Sequence, residues 1–135
     1  MIQRIQTVYL ALAVLLNVLF YFTPLFEQAR TDPSDWLLPF LTAAAGFAAV
    51  ISLYSIFLYK KRERQAQITS YACLFQVMAF GSAAGIFFSM GRINSEMIWE
   101  LAGVLMLLFG LTLQFLAIKA IKNDIKLIRS MDRIR

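Results

Sequence analysis

Four long apolar runs dominate this chain of 135 residues, and no charged side chain interrupts residues 7–26, 36–59 or 68–90. A fourth run covers residues 101–118. Each run is close to the roughly 20 residues that an α-helix needs to cross the hydrocarbon core of a bilayer. The helices of a soluble four-helix bundle would each need a polar face, which these runs lack. The sequence therefore predicts an all-α integral membrane protein.

Short connections join the four runs, so sequential helices should be antiparallel neighbours in an up-and-down bundle. The bulky segment LFYFTPLF, residues 19–26, does not fit a signal-peptide cleavage site, and we expect the first helix to stay in the mature protein. Neither Gly nor Pro follows Gly110, so the fourth helix can continue to the end of the chain. We predict a transmembrane domain over residues 1–118, with helices at about 5–26, 34–59, 67–90 and 96–118, and a basic helical extension at 119–135.

Basic residues are distributed unevenly between the two sides of this predicted bundle. Only Arg30 and Arg92 fall on one side, together with the interfacial aromatic residues Trp36 and Trp99. The positive-inside rule places the other side, with both termini, in the cytoplasm. The eleven basic residues of that side are Arg4, Lys60, Lys61, Arg62, Arg64, Lys119, Lys122, Lys126, Arg129, Arg133 and Arg135.

The extension carries two parallel stripes if it is helical. Its basic stripe covers an arc of only about 80° at 100° per residue, and an apolar stripe lies beside it. A straight extension would project up to about 25 Å from Lys119, well beyond a Debye length of about 8 Å. A bend near Asn123 and Asp124 would instead lay it on the membrane. The basic stripe is Lys119, Lys122, Lys126, Arg129 and Arg133, and the apolar stripe is Ile118, Ile121, Ile125 and Ile128.

We expect these two stripes, with Lys60, Lys61, Arg62 and Arg64 of the inner loop, to contact anionic membrane lipid or a membrane-protein or cytoplasmic partner. The alternative is that the bases only determine topology. Gly81 and Gly85 in the third helix and Gly46 in the second predict close helix packing, either inside the bundle or against another membrane protein. The single cysteine, Cys73, excludes an internal disulfide and is interpreted as a packing residue.

Catalysis has little support in this composition. The chain has no histidine, and no charged side chain lies deep in an apolar run, so we expect no enzyme, metal or cofactor. The polar residues Asn17, Gln76 and Gln114 lie at predicted depths of roughly 18, 12 and 6 Å from the inner boundary. They are therefore expected to form separate interhelical hydrogen bonds rather than one site.

Glu96 and Glu100 share a helix face near the outer surface and could form a paired-acid site. We favour instead an Arg92–Glu96 ion pair with Glu100 reaching the headgroups, because no further ligand-type residue is near in sequence.

Two hypotheses of function follow, from different classes. The first is a non-enzymatic accessory or scaffold protein that acts through its basic cytoplasmic face. The second is a subunit of an oligomeric channel or transporter, in which Asn17, Gln76 or Gln114 lines a path between subunits. A membrane enzyme using Glu96 and Glu100 ranks third. Specific DNA binding is not expected, and self-association is left open.

Both termini resemble a known family. The segments MIQRIQTVYL, residues 1–10, and IKAIKNDIKLIRSMDRIR, residues 118–135, resemble the terminal signatures of an uncharacterised family of small four-helix membrane proteins from Bacteroidota. Ile125 departs from that pattern, in which an acidic residue is more usual. The resemblance implies a multi-pass protein of the bacterial inner membrane and transfers no activity. The matching positions are Ile2, Gln3, Arg4, Ile5, Gln6, Asp124, Arg129, Ser130, Asp132 and Arg133.

Overall fold

Five α-helices make up the fold, which we describe from a computed structural model of residues 2–31, 36–89 and 97–134, with only the backbone of residues 2–4. The predicted all-α class is confirmed, since no strand occurs in these ranges. The helices are α1 (Ile2–Phe20), α2 (Pro24–Thr31), α3 (Leu37–Phe57), α4 (Arg62–Ser89) and α5 (Met97–Asp132).

The first predicted helix, residues 5–26, is divided between α1 and α2, because the helix breaks after Phe20 and the chain bends by 49°. Pro24 has no backbone N–H to continue the hydrogen bonding of α1 and is favoured at the first position of a new helix. The Thr23 hydroxyl donates to the Phe20 carbonyl at 2.7 Å. The Thr23 carbonyl in turn accepts from the Phe26 amide at 3.0 Å. Thr23 therefore ends one helix and begins the next.

At one end of the bundle, α4 is longer than expected, and α5 includes the predicted helical extension as far as Asp132. α4 begins at Arg62 rather than near residue 67, because Arg, Glu, Gln and Ala are all good helix formers, whether polar or apolar. α5 continues through Asn123 and Asp124 to Asp132 without interruption. At about 1.5 Å per residue, the two helices are about 42 and 54 Å long, longer than the roughly 30 Å hydrocarbon core. Both therefore extend past their apolar segments.

The four long helices pack in a ring, with α1 and α4 each lying against both α3 and α5. Neighbours α3 and α4 run antiparallel, since Phe47 contacts Phe75 while Ser55 contacts Thr69. The short helix α2 packs mainly on α5. At this contact, a Cβ added to Gly103 of α5 would lie 3.0 Å from the Thr23 Oγ1 atom. The bend after α1 thus depends on a small residue in α5.

Small side chains form much of the buried interface, but these are mainly alanines. The packing predicted inside the bundle for Gly81 and Gly85 is wrong among the described residues, because both are exposed and a Cβ at either would have open space around it. Docking of these two glycines to another membrane protein stays a prediction. A Cβ at Gly46 would lie 3.3 Å from the Tyr21 hydroxyl, which donates to the Thr42 carbonyl at 2.8 Å.

Many large apolar side chains lie on the outside of the bundle. Phe57, Phe88 and Ile98 are among the most exposed of them, at 71%, 78% and 75%. By length and composition, α3, α4 and α5 can each cross a membrane, and the bent pair of α1 and α2 would be a fourth span. This pattern indicates a membrane protein.

Candidate functional site

A cluster of polar side chains lies at the centre of the ring, and we call it the central polar cluster. It consists of Asn17 from α1, Ser52 from α3, Gln76 from α4 and Gln114 from α5, and none of the four is exposed. The Asn17 Nδ2 atom donates to Gln76 Oε1 at 2.8 Å. Gln114 Nε2 lies 3.0 Å from Ser52 Oγ and 3.4 Å from Gln76 Oε1. The cluster thus connects all four long helices.

Gln76 is the hub of this cluster. Its Oε1 atom accepts from Asn17 and Gln114, and its Nε2 atom donates to the Leu107 carbonyl of α5 at 3.1 Å. Gly110 makes the arrangement sterically feasible, because a Cβ there would lie 3.0 Å from Gln76 Nε2 and 3.6 Å from Asn17 Nδ2. The hydrogen bonds of Gln76 and the close approach of α5 at Gly110 therefore fix the positions of the Asn17 and Gln76 side chains.

The prediction that Asn17, Gln76 and Gln114 lie at separate depths is wrong, although their roles as interhelical hydrogen bonds are confirmed. Counting residues along each helix failed because the inner ends of the apolar runs do not lie at one level in the packed bundle, where the three side chains meet. The shared polar character of the three residues was the available signal. Only the packing of the helices shows that they meet.

One end of the bundle carries most of the described basic side chains, and we call it the basic end. It comprises the turn at residues 58–61, the first turns of α4 and the last turns of α5. Near the turn, Ser55 Oγ lies 2.6 Å from Thr69 Oγ1, and Thr69 Oγ1 donates to the Gln65 carbonyl at 2.8 Å. These contacts hold α3 and α4 together where the chain reverses.

Two ion pairs join α4 and α5 at the basic end. Arg62 Nη1 lies 2.8 Å from Asp124 Oδ2, and these side chains are only 23% and 12% exposed. Arg129 and Glu63 are also 2.8 Å apart but are 72% and 71% exposed. Screening by solvent weakens the exposed pair, so the pair of Arg62 and Asp124 contributes more to the docking of α5.

The basic end differs from the predicted contact surface in several positions. Ile121 is fully buried, and Ile125 and Ile128 are half-buried, so the apolar stripe packs largely against the chain itself. The prediction of an open stripe is therefore wrong at Ile121. Arg62 and Arg129 are engaged in ion pairs within the chain. The predicted basic residues that are exposed and take part in neither ion pair are Lys60, Lys61, Arg64, Lys119, Lys122, Lys126 and Arg133.

A groove of about 1100 Å³ runs along the surface between α4 and α5. We call it the lysine groove, because one end of it carries Lys119, Lys122 and Lys126. Its remaining length is mainly apolar and is not predicted by the periodicity of either helix alone. Its lining there includes Cys73, Leu74, Val77, Met78, Phe115 and Leu116.

The acidic pair considered at the opposite end is only partly within the described residues. Glu96 and Arg92 lie outside them, and Glu100 is half-buried in the first turn of α5. Within residues 2–31, 36–89 and 97–134, no group of three or more Cys, Asp or Glu side chains could hold a metal ion.

A family model with the description "Domain of unknown function (DUF4293)" matches residues 27–134. The chain belongs to this family. The match includes α3, α4 and nearly all of the C-terminal segment in which the resemblance was found, whereas the N-terminal signature lies before it. The matched residues therefore include the whole lysine groove and both ion pairs of the basic end. No curated protein and no solved structure matches the chain.

We predict that Gln76→Leu lowers the free energy of unfolding by about 1 to 2 kcal/mol, because Asn17 and Gln114 lose their common acceptor. Reversible unfolding of the purified chain in detergent, followed by circular dichroism, measures this. Gln67→Leu is the control, since Gln67 is an exposed residue of the same helix.

Gly110→Ala should also destabilise the protein, because the added Cβ would lie 3.0 Å from Gln76 Nε2, whereas Gly85→Ala has open space and should not. A structural role of the cluster would be contradicted if Gln76→Leu were as stable as Gln67→Leu and Gly110→Ala as stable as Gly85→Ala.

We also predict that Asp124→Asn loosens the end of α5, because Arg62 keeps a charge without its partner. The loss should be about 1 to 3 kcal/mol of local stability. Trypsin cleavage after Lys126 and Arg129 in the detergent-solubilised chain should then become several-fold faster. Glu63→Gln, which removes the exposed ion pair, is the matched control and should change cleavage little. Equal effects of the two variants would show that burial of the first pair is unimportant.

Proposed function

We propose that this protein is a non-enzymatic accessory or scaffold protein of the bacterial inner membrane that binds an anionic partner at its basic end. It spans the membrane four times, with α1 and α2 forming one bent span, and both termini are cytoplasmic. The uneven distribution of the 13 Lys and Arg residues supports this orientation. The resemblance of both termini to a Bacteroidota family supports the inner membrane as the location.

The observation that carries the proposal is the fixed arrangement of positive charge at the basic end. Charges that only determine topology need no defined positions relative to one another. Here the pairs of Arg62 with Asp124 and Arg129 with Glu63 hold α5 against α4 beyond the apolar segments. Lys119, Lys122 and Lys126 are thereby presented together along one surface groove. Preorganised positive charge of this kind favours binding of an anion.

The channel or transporter alternative has less support. It requires Asn17, Gln76 or Gln114 to face a path between subunits. All three are instead fully buried within one chain and hydrogen-bonded to one another across the bundle. Self-association through the exposed face of Gly81 and Gly85 stays a prediction and does not depend on this cluster.

The orientation can be tested by thiol labelling in a Cys73→Ala background, which removes the only cysteine of the sequence. In sealed right-side-out vesicles, an impermeant maleimide should label Glu27→Cys directly and Lys61→Cys only after permeabilisation. Both positions are exposed and lie at opposite ends of the bundle. Labelling of Lys61→Cys in sealed vesicles would overturn the cytoplasmic position of the basic end.

We predict that a photo-crosslinking residue at Leu127, an exposed position beside Lys126, forms a light-dependent adduct with a lipid or a protein in living cells. Combined replacement of Lys119, Lys122 and Lys126 by Gln should abolish this adduct, because the charge that recruits the partner is lost. A probe at exposed Trp99, at the opposite end, should be unaffected by the same replacements. An unchanged adduct at Leu127 would mean that the bases act only as topology signals.

A further inference from the structure

We propose that the lysine groove is a binding site for an anionic glycerophospholipid, with its phosphate headgroup at the three lysines and an acyl chain along the apolar length. This inference rests on the proposed function and names the ligand class of the basic end. It follows from three properties of the groove: its charge, its apolar length and its level relative to the membrane.

The charge of the groove lacks compensation among the described residues. Lys119, Lys122 and Lys126 lie three and four residues apart on one face of α5, so their ammonium groups repel one another. Two acidic residues of the basic end, Asp124 and Glu63, pair with Arg62 and Arg129 instead. No ion pair involves these three lysines in the same ranges. A ligand with net negative charge would relieve the repulsion.

The rest of the groove suits a hydrocarbon chain. Its α4 side runs from Ser70 to Met78, about 12 Å along the helix axis. This is close to the roughly 15 Å depth of one leaflet, half of the hydrocarbon core. The exposed side chains Leu74 and Val77 form part of this apolar wall, and Leu116 faces it from α5.

The two parts of the groove meet at the level of the membrane surface. α5 changes from apolar to basic between Ile118 and Lys119, and both residues line the groove. On α4, the apolar segment begins at Ile68, just before Ser70 of the same groove. An occupant must therefore be apolar within the leaflet and anionic at its surface. A phospholipid meets both conditions, whereas a water-soluble protein would reach only the lysines.

The lipid preference can be measured by native mass spectrometry of the full chain in a neutral detergent. The probe is an equimolar mixture of phosphatidylglycerol and phosphatidylethanolamine with identical acyl chains. The wild-type chain should favour the phosphatidylglycerol adduct on the order of tenfold, since each base near the surface adds to the attraction. The triple variant Lys119→Gln, Lys122→Gln and Lys126→Gln should lose this preference.

Matched variants separate the groove from general positive charge. Replacing Lys60, Lys61 and Arg64 by Gln removes the same charge from the same end outside the groove, and the preference should fall less than in the groove variant. Leu74→Trp should reduce phosphatidylglycerol binding by filling the groove, whereas Phe88→Trp, at an exposed position of α4 outside it, should not. Val77→Trp serves the same purpose if Leu74→Trp fails to fold. Inorganic phosphate at equal concentration should not displace the lipid, because it lacks the acyl chain.

Three results would overturn the lipid site. The first is a wild-type chain without preference, and the second is an equal loss of preference in the two triple variants. The third is displacement of the lipid by inorganic phosphate. If any of them occurs while the Leu127 probe still captures a protein that depends on the lysines, the proposed function stands and only the lipid site fails. Loss of both signals would refute the two proposals together.

Discussion

The arrangement of the helices depends on Gln76, because apolar surface alone cannot decide which faces of these helices meet. In a lipid environment, an apolar side chain gains little by moving from lipid to the protein interior, so polar contacts and close packing decide the pairing. Gln76 accepts from α1 and α5 and donates to the backbone of α5. A rotation of any of these helices would leave a buried amide without its partner, which is costly in an apolar medium.

Polar contacts also attach the helices at the basic end, where ion pairs take the place of buried amides. Arg62 and Asp124 attach α5 to α4 in a mostly buried contact, and Ile121 of α5 is fully buried nearby in sequence. The C-terminal helix is therefore not an isolated projection. Its attachment places the remaining lysines along a groove that continues into the apolar segment. A topology signal and a ligand surface can thus be formed by one set of residues.

The sequence predicted the helical class and the regions of the helices, since uncharged runs of this length have few alternatives. It did not predict that α1 ends at Phe20, because Pro24 is compatible with a kink, an end or a new start until its neighbours are known. It also assigned charged residues 62–66 to a loop. Polarity suggested exposure there, but helix propensity and the contact of Arg62 with Asp124 favour an extended α4.

The candidate site also combines features that are local to one helix with features that depend on contacts between helices. The positions of the lysines on one face of α5 follow from helical periodicity, which is a local property of the chain. That Arg62 and Arg129 are paired, that Ile121 is buried and that Asn17 meets Gln76 across the bundle are decided by tertiary structure. The physical reason is that hydropathy and periodicity report the preference of each residue for water or lipid. Which residues of different helices come together depends on bends, helix lengths and close approaches such as that at Gly110, which only the packed bundle determines.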